Sequence, residues 1–122
     1  MNNTSIMKNL YYDTCLDCAC KSCMDRRYGA ILVYRNKIVS SGYNSYRGNI
    51  KNNKNSFYVP NKYSTHAEQD CINKMKNKDL LKYCTLYLIN IDKEGNPMNC
   101  KPCDKCSHII DKYKIRKIII IE

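Results

Sequence analysis

The sequence predicts an α/β layer fold in the order α-β-β-α-β-α-β. Three observations carry this. The stretch "YGAILVYRNKIVSSGYN" (28–44) reads as two strands around a short turn. Two later segments place apolar residues at helical spacing on either side of the strand-like "CTLYLINI" (84–91). The closing "KIIIIE" holds four consecutive isoleucines without alternation, which suits a parallel strand covered on both faces. Helices alternating with strands in this way build one sheet with right-handed crossovers.

In chain order, a helix is expected over residues 6–22, with Ile6, Leu10, Cys15 and Leu16 among its apolar positions. The hairpin follows, turning at Asn36. Residues 45–63, "SYRGNIKNNKNSFYVPNKY", are polar, rich in asparagine and without a regular period, so they read as a long loop. A helix over 66–77 would bury Ala67, Cys71, Ile72 and Met75 on one face. After the strand at 84–91, "DKEGNP" supplies turn residues. The last helix is expected to begin at Pro102, a residue suited to a first helical turn, and to bury Ile109, Ile110 and Tyr113. No repeat or composition break divides the chain. A single domain over 1–122 is expected, long enough to bury roughly two-thirds of its unfolded surface.

Composition narrows the class. A hydrophobic content of 43% excludes a disordered chain. No apolar run approaches the roughly 20 residues that span a bilayer, so no membrane partner is expected. The start "MNNTSIMKNLYYD" lacks a basic flank followed by an apolar stretch, so an intracellular protein without a secretory signal is expected. Nine cysteines, an odd number, then point to metal binding or unpaired thiols rather than a disulfide framework. The net charge of +10 raises a polyanionic partner. Lysine outnumbers arginine 16 to 5 in a chain rich in Asn, Ile and Tyr. These residues share A/T-rich codons, so codon bias accounts for the larger share of the basicity.

"THAE" (65–68) and "PCDKC" (102–106) carry the chemistry. Two cysteines at i and i+3 on a helix start can chelate one ion, and the positive helix end favours thiolate. With one distant histidine they make a three-ligand set that suits zinc, and three protein ligands with an open position is the catalytic pattern. A fourth ligand would close the site. Cys100 could supply it, but Pro102 as a helix start leaves Cys100 in the preceding loop. Glu68 has two readings. Thr65-x-x-Glu68 fits a capping box. In the first turn of a helix Glu68 can also project beside His66, where a carboxylate moves protons for a metal-bound water.

His66-Ala67-Glu68 with Pro102-Cys103-x-x-Cys106 resembles the signature of the zinc-dependent cytidine/deoxycytidylate deaminase superfamily. The likeness covers nearly the whole chain. "YGAILVYRNKIVSSGYN" looks like the family's first hairpin and "IRKIIIIE" like its fourth strand. "KYSTHAE" after a long insertion is similar to deoxycytidylate deaminases. The resemblance implies a three-layer α/β/α sandwich on a mixed sheet, with four strands legible here where the family has five. It implies hydrolytic deamination at C4 of a cytosine in cytidine, deoxycytidine or deoxycytidylate. One zinc per chain would sit on His66, Cys103 and Cys106, with Glu68 protonating N3 and then the departing ammonia. By the same resemblance Asn44 contacts the sugar, while the Ala67 amide and the Lys101 carbonyl read the base edge.

The chain also departs from the family. "DKEGNPMNCK" lengthens the loop before the proline-cysteine motif. No fifth strand follows Ile118–Ile121, so that strand would be a long apolar edge, and a homo-oligomer is expected to cover it. Cys15, Cys18, Cys20 and Cys23 would spread around a continuous helix, at about 0°, 300°, 140° and 80°, and so read as packing thiols rather than a second zinc site. Cys71 and Cys84 read as small core residues, and His108 as a surface residue. Arg47, Lys51, Lys54 and Lys62 alternate with Tyr46, Phe57, Tyr58 and Tyr63 in the long loop, and Arg26 and Arg27 lie near the same mouth. That mixture suits single-stranded DNA or RNA as an alternative substrate, with cytosine favoured over adenine. A small nucleoside or nucleotide is the leading expectation. A non-catalytic zinc module is the remaining alternative, which the presence of Glu68 disfavours.

Overall fold

The computed structural model describes residues 3–46 and 64–122. Helix α1 (Asn3–Cys20) leads into strands β1 (Arg27–Tyr34) and β2 (Lys37–Tyr43). Arg35 and Asn36 join these two strands, both at positive φ (51° and 64°). Two left-handed residues give the turn a twist that matches a hairpin. The short strands β3 (Ser45–Tyr46) and β4 (Ser64–Thr65) pair with each other, so the ends of the expected long loop form a small ladder. The remainder of that loop, 47–63, lies outside the described residues, as do the proposed contacts of Arg47, Lys51, Lys54, Phe57, Tyr58, Lys62 and Tyr63.

Helix α2 (Ala67–Lys74) stops earlier than its sequence suggests, because Met75 is extended (φ −66°, ψ 120°). The Lys78 ammonium bonds the carbonyls of Asn73 and Met75, and a 3-10 helix (Lys78–Tyr83) follows, capped by Asn77 on the Asp79 amide. The 3-10 helix has too few turns to show a period in the sequence. Strand β5 (Thr85–Ile91), strand β6 (Pro97–Met98), helix α3 (Asp104–Lys112) and strand β7 (Lys117–Ile121) complete the chain.

The sheet has five strands rather than four. β1 pairs antiparallel with β2 on one side and with β5 on the other. The far edge of β5 is shared: β7 runs parallel to residues 85–89, and β6 pairs antiparallel with Asn90 and Ile91. The extra strand comes from the lengthened loop, which turns at Gly95 (φ 89°) and folds back. A two-residue strand leaves no alternation to read.

Alternation along β1 divides the core. Ala30 and Leu32 face α2 and α3 with Cys71, Ile72, Leu86, Leu88 and Ile110. Ile31 and Val33 face α1 with Tyr11, Cys15, Ala19, Ile89 and Ile91. The result is helix, sheet and helix in three layers. Gly29 allows α1 to sit against β1, since a Cβ there would lie 2.2 Å from the Cys15 carbonyl oxygen. The expected burial of β7 on both faces is incomplete. Ile118 is 37% exposed, and among the described residues nothing pairs with the outer edge of this strand. None of the described helices is long and apolar enough to cross a membrane.

Candidate active site

Two helix starts meet at the end of the sheet where β1 begins. His66 is the N-cap of α2, with an extended backbone (φ −78°, ψ 157°) and no side-chain capping bond. The capping box expected from Thr65 and Glu68 is therefore absent. Thr65 belongs to β4, the cap falls one residue later, and Glu68 turns inward, 4% exposed. Pro102 likewise precedes the helix rather than starting it. Cys103 is the N-cap of α3, and its thiol accepts the Cys106 amide N–H at 3.4 Å, the role usually filled by Ser or Asp.

These local choices bring three donors together. His66 Nδ1 lies 3.3 Å from Cys103 Sγ and 3.4 Å from Cys106 Sγ. All three ligand atoms fall within 4.8 Å of one another. A tetrahedron with ordinary zinc–sulfur and zinc–nitrogen bonds has an edge of about 3.6 Å, so the donor set fits zinc. The electrostatics agree. Burial raises the Cys106 thiol, and the neighbouring Glu68 carboxylate and Cys103 raise it further. Burial also raises Glu68, against the opposing pull of a backbone hydrogen bond, His66 and Cys106. A divalent cation among these groups relieves both costs.

Cys100 is outside the donor set. It packs against the core, and burial followed by the Glu68 and Glu122 charges pushes its thiol up to about 11. The N-terminal cysteines do not converge: Cys15 and Cys18 are buried in the core while Cys20 and Cys23 are exposed. Cys15 donates to the Gly29 carbonyl at 3.3 Å. Cys71 and Cys84 are fully buried, and His108 is exposed on α3.

A cavity of about 650 Å³ opens onto the donor set. His66, Ala67, Glu68, Lys101 and Cys103 line one side, and Met24, Asp25, Arg26, Tyr28 and Asn44 the other. Arg26, Asn44, Ala67 and Lys101 thus all line this one cavity. Tyr46 sits in β3, but its side chain is outside the described residues. Met24, Asp25 and Tyr28 were missed. Tyr28 had a usable signal: it shares the face of β1 with Ala30, which points toward α2. Arg27 is not in the cavity, because its guanidinium bonds the Asp92 and Lys93 carbonyls and anchors the turn before β6.

The wall opposite the donors is fixed by Asn44, 6% exposed. Its Oδ1 accepts the Tyr28 amide N–H at 2.8 Å, and its Nδ2 donates to the Arg26 carbonyl at 2.6 Å. The helix wall is fixed through Gly42, where a Cβ would lie 2.6 Å from the Cys71 nitrogen and 2.7 Å from the Ala67 oxygen. Ser40 adds a hydrogen bond from its hydroxyl to the Cys71 carbonyl, and Asp70 accepts the Tyr43 amide N–H.

Comparison with known proteins agrees with this geometry. Residues 6–122 match the cytidine and deoxycytidylate deaminase zinc-binding region. Among solved structures, the chain is similar to the dCMP deaminase of cyanophage S-TIM5 in apo form, at 20% identity and TM-score 0.65, covering 98% of this chain and 84% of that one. It is similar to the cytidine deaminase of Mycobacterium tuberculosis at 14% identity and TM-score 0.57, covering 94% and 84%. It also resembles the guanine deaminase of Bacillus subtilis at 19% identity and TM-score 0.56, covering 99% and 64%. No curated protein sequence matched. At these identities the structural likeness shows the fold, and the matched region shows the family. With His66, Cys103 and Cys106 positioned for one metal ion, the chain belongs to the cytidine and deoxycytidylate deaminase zinc-binding family.

Proposed function

We propose that residues 1–122 form one catalytic domain that hydrolytically deaminates the cytosine of a small nucleotide, with deoxycytidylate as the leading substrate. The observation that carries this is the buried Glu68 carboxyl beside three metal donors at the floor of a cavity of about 650 Å³. Zinc held by His66, Cys103 and Cys106 would supply a Lewis acid that lowers the pKa of water to about 7. Glu68 would take a proton from water as its oxygen bonds to C4 and deliver that proton to ring N3. It would then carry the C4 hydroxyl proton to the amino group, so that the C4–N bond breaks, ammonia leaves and the C4 carbonyl forms. Ala67 and Lys101 line the cavity, and the Ala67 amide and the Lys101 carbonyl would read the base edge. Asn44 would contact the sugar, and its side chain holds the Tyr28 amide and the Arg26 carbonyl.

Arg26 and Lys101 favour a 5′-phosphate over a bare nucleoside, since both line the cavity and a monophosphate needs only one or two cations. The S-TIM5 dCMP deaminase has a structure in complex with dCMP and dUMP, with TM-score 0.66 to this chain, which supports the same substrate class.

The test is ammonia release by zinc-loaded protein on cytidine, deoxycytidine, deoxycytidylate and cytosine-containing single strands. Deoxycytidylate turnover that falls 100-fold or more in Glu68→Ala is expected, in line with the roughly 10²–10⁴-fold worth of a general acid–base group. Turnover confined to strands would make the substrate a polynucleotide. No Glu68-dependent turnover on any substrate would sink the enzymatic reading.

A further inference from the structure

The sheet end opposite the cavity carries a concentration of positive charge that the deaminase reading does not use. Lys37 and Tyr34 are cross-strand partners, Val33 pairs with Thr85, and Thr85 pairs with Lys117. These pairings place the β1–β2 turn, the 3-10 helix and the α3–β7 turn side by side. The Arg116 amide bonds the Cys84 carbonyl and ties the last turn to the 3-10 helix. Seven exposed cations lie on these three turns: Arg35, Lys37, Lys82, Lys112, Lys114, Arg116 and Lys117. Exposed acidic residues there are Asp79 and Asp111. None of the seven cations enters an ion pair among the described residues.

Aromatic rings accompany the charges. Arg35, Lys82 and Lys112 each sit about 5.3 Å from the ring centroid of the tyrosine beside it in sequence, Tyr34, Tyr83 and Tyr113. The Tyr34 and Tyr83 rings are 6.5 Å apart, and Tyr83 is 52% exposed. Clustered cations beside a half-exposed aromatic ring match the chemistry of single-stranded nucleic acid, where phosphates meet the charges and a base stacks on the ring. A lipid headgroup or a polyglutamate chain offers the charges an anion but no planar ring to stack on the tyrosine.

We propose that this pole is a docking surface for single-stranded nucleic acid. The strand is a partner there rather than a substrate. Arg27, at the cavity end, and Tyr34 are the two ends of the eight-residue strand β1, a distance of roughly 23 Å in extended chain. The docking site and the cavity are therefore independent.

The test measures fluorescence anisotropy of a labelled 20-nucleotide oligothymidylate, which has no cytosine, against the full chain between 50 and 300 mM salt. Three or more phosphate contacts predict a log–log salt slope of about −2 or steeper. The variant Arg35→Asn/Lys37→Gln/Lys112→Gln/Lys114→Asn should bind tenfold or more weakly with a flatter slope. Asparagine is chosen at 35 and 114 because both residues have positive φ (51° and 55°). Tyr83→Ala separately should weaken binding about fivefold or more at unchanged slope, and it serves as the test if the fourfold variant does not fold. Excess deoxycytidylate should leave the complex intact, and ammonia release by both variants should match the unsubstituted protein. The proposal is overturned by no binding at 50 mM salt, by binding indifferent to these substitutions, or by displacement with deoxycytidylate. Equal affinity for phosphatidylserine vesicles or polyglutamate would overturn it as well.

Discussion

Both polar ends of Asn44 are occupied by the backbone they hold, the Tyr28 amide at one end and the Arg26 carbonyl at the other. The residue is buried, so replacing it with alanine leaves those two groups without their partner. Each costs about 1–3 kcal/mol when unsatisfied. Asn44→Ala is therefore expected to destabilise the fold by about 2 kcal/mol or more. Asn44→Asp, which keeps the acceptor for Tyr28, should lie between the two. Denaturant midpoints measure both, and equal stability of all three proteins would refute the clamp. The family resemblance implied a substrate contact at Asn44, and the residue lines the cavity. Its hold on residues 26–28 was not legible, because it depends on how β2 lies beside β1. The same limit applies at Glu68, where a capping role and an inward-facing role fit one spacing and burial decides between them.

Helix α2 is eight residues long, and its position against β2 decides where His66 and Glu68 point. Gly42 sets that position. An added Cβ would meet backbone atoms at 2.6 and 2.7 Å, and backbone cannot swing aside as a side chain can. Gly42→Ala should push α2 outward, lower stability by about 1–3 kcal/mol, and weaken zinc retention against a competing chelator. By contrast Gly95→Ala, with nothing within 4 Å of its Cβ, should carry only the backbone strain of its positive φ (89°) and retain zinc like the unsubstituted protein. Equal zinc loss in the two variants would overturn the packing argument. The elements themselves were largely legible. The hairpin, α2, β5 and the last helix and strand all stand close to their expected places. What failed were short pieces, β3, β4, β6 and the 3-10 helix, which have too few residues to show a period. The start of α3 also shifted, since Cys103 outcompetes Pro102 as the boundary by accepting the Cys106 amide.

For the molecule as a whole, the cysteines fall into groups that the sequence separates only in part. Cys103 and Cys106 are metal donors, Cys20 and Cys23 face solvent, Cys15, Cys18, Cys71 and Cys84 fill the core, and Cys100 packs half-buried against it. Burial pushes the Cys71 thiol from 9.0 up to about 12. An unfolded chain can ionise this thiol above pH 9 and the folded protein cannot. The stability it contributes is therefore complete below pH 9 and is lost progressively as pH rises from 9 toward 12. Denaturant midpoints should hold level from pH 7 to 8.5 and fall above 9. In Cys71→Ala the fall should be shallower by as much as about 1.4 kcal/mol per pH unit. An unchanged slope would show that Cys71 ionises alike in both states.

The sequence by itself determined the class of fold, the order of the main elements and the three metal donors. Those depend on local periodicity and on a spacing that positions ligands at helix starts. Tertiary structure alone decided that Cys100 stands outside the donor set, that the lengthened loop adds a strand beside β5, and that Tyr28, Asp25 and Met24 complete the cavity. It also decided that cations distant in sequence gather at one pole. The reason is common to all four. Each is a contact between segments far apart in the chain, and only strand register and helix packing bring them together.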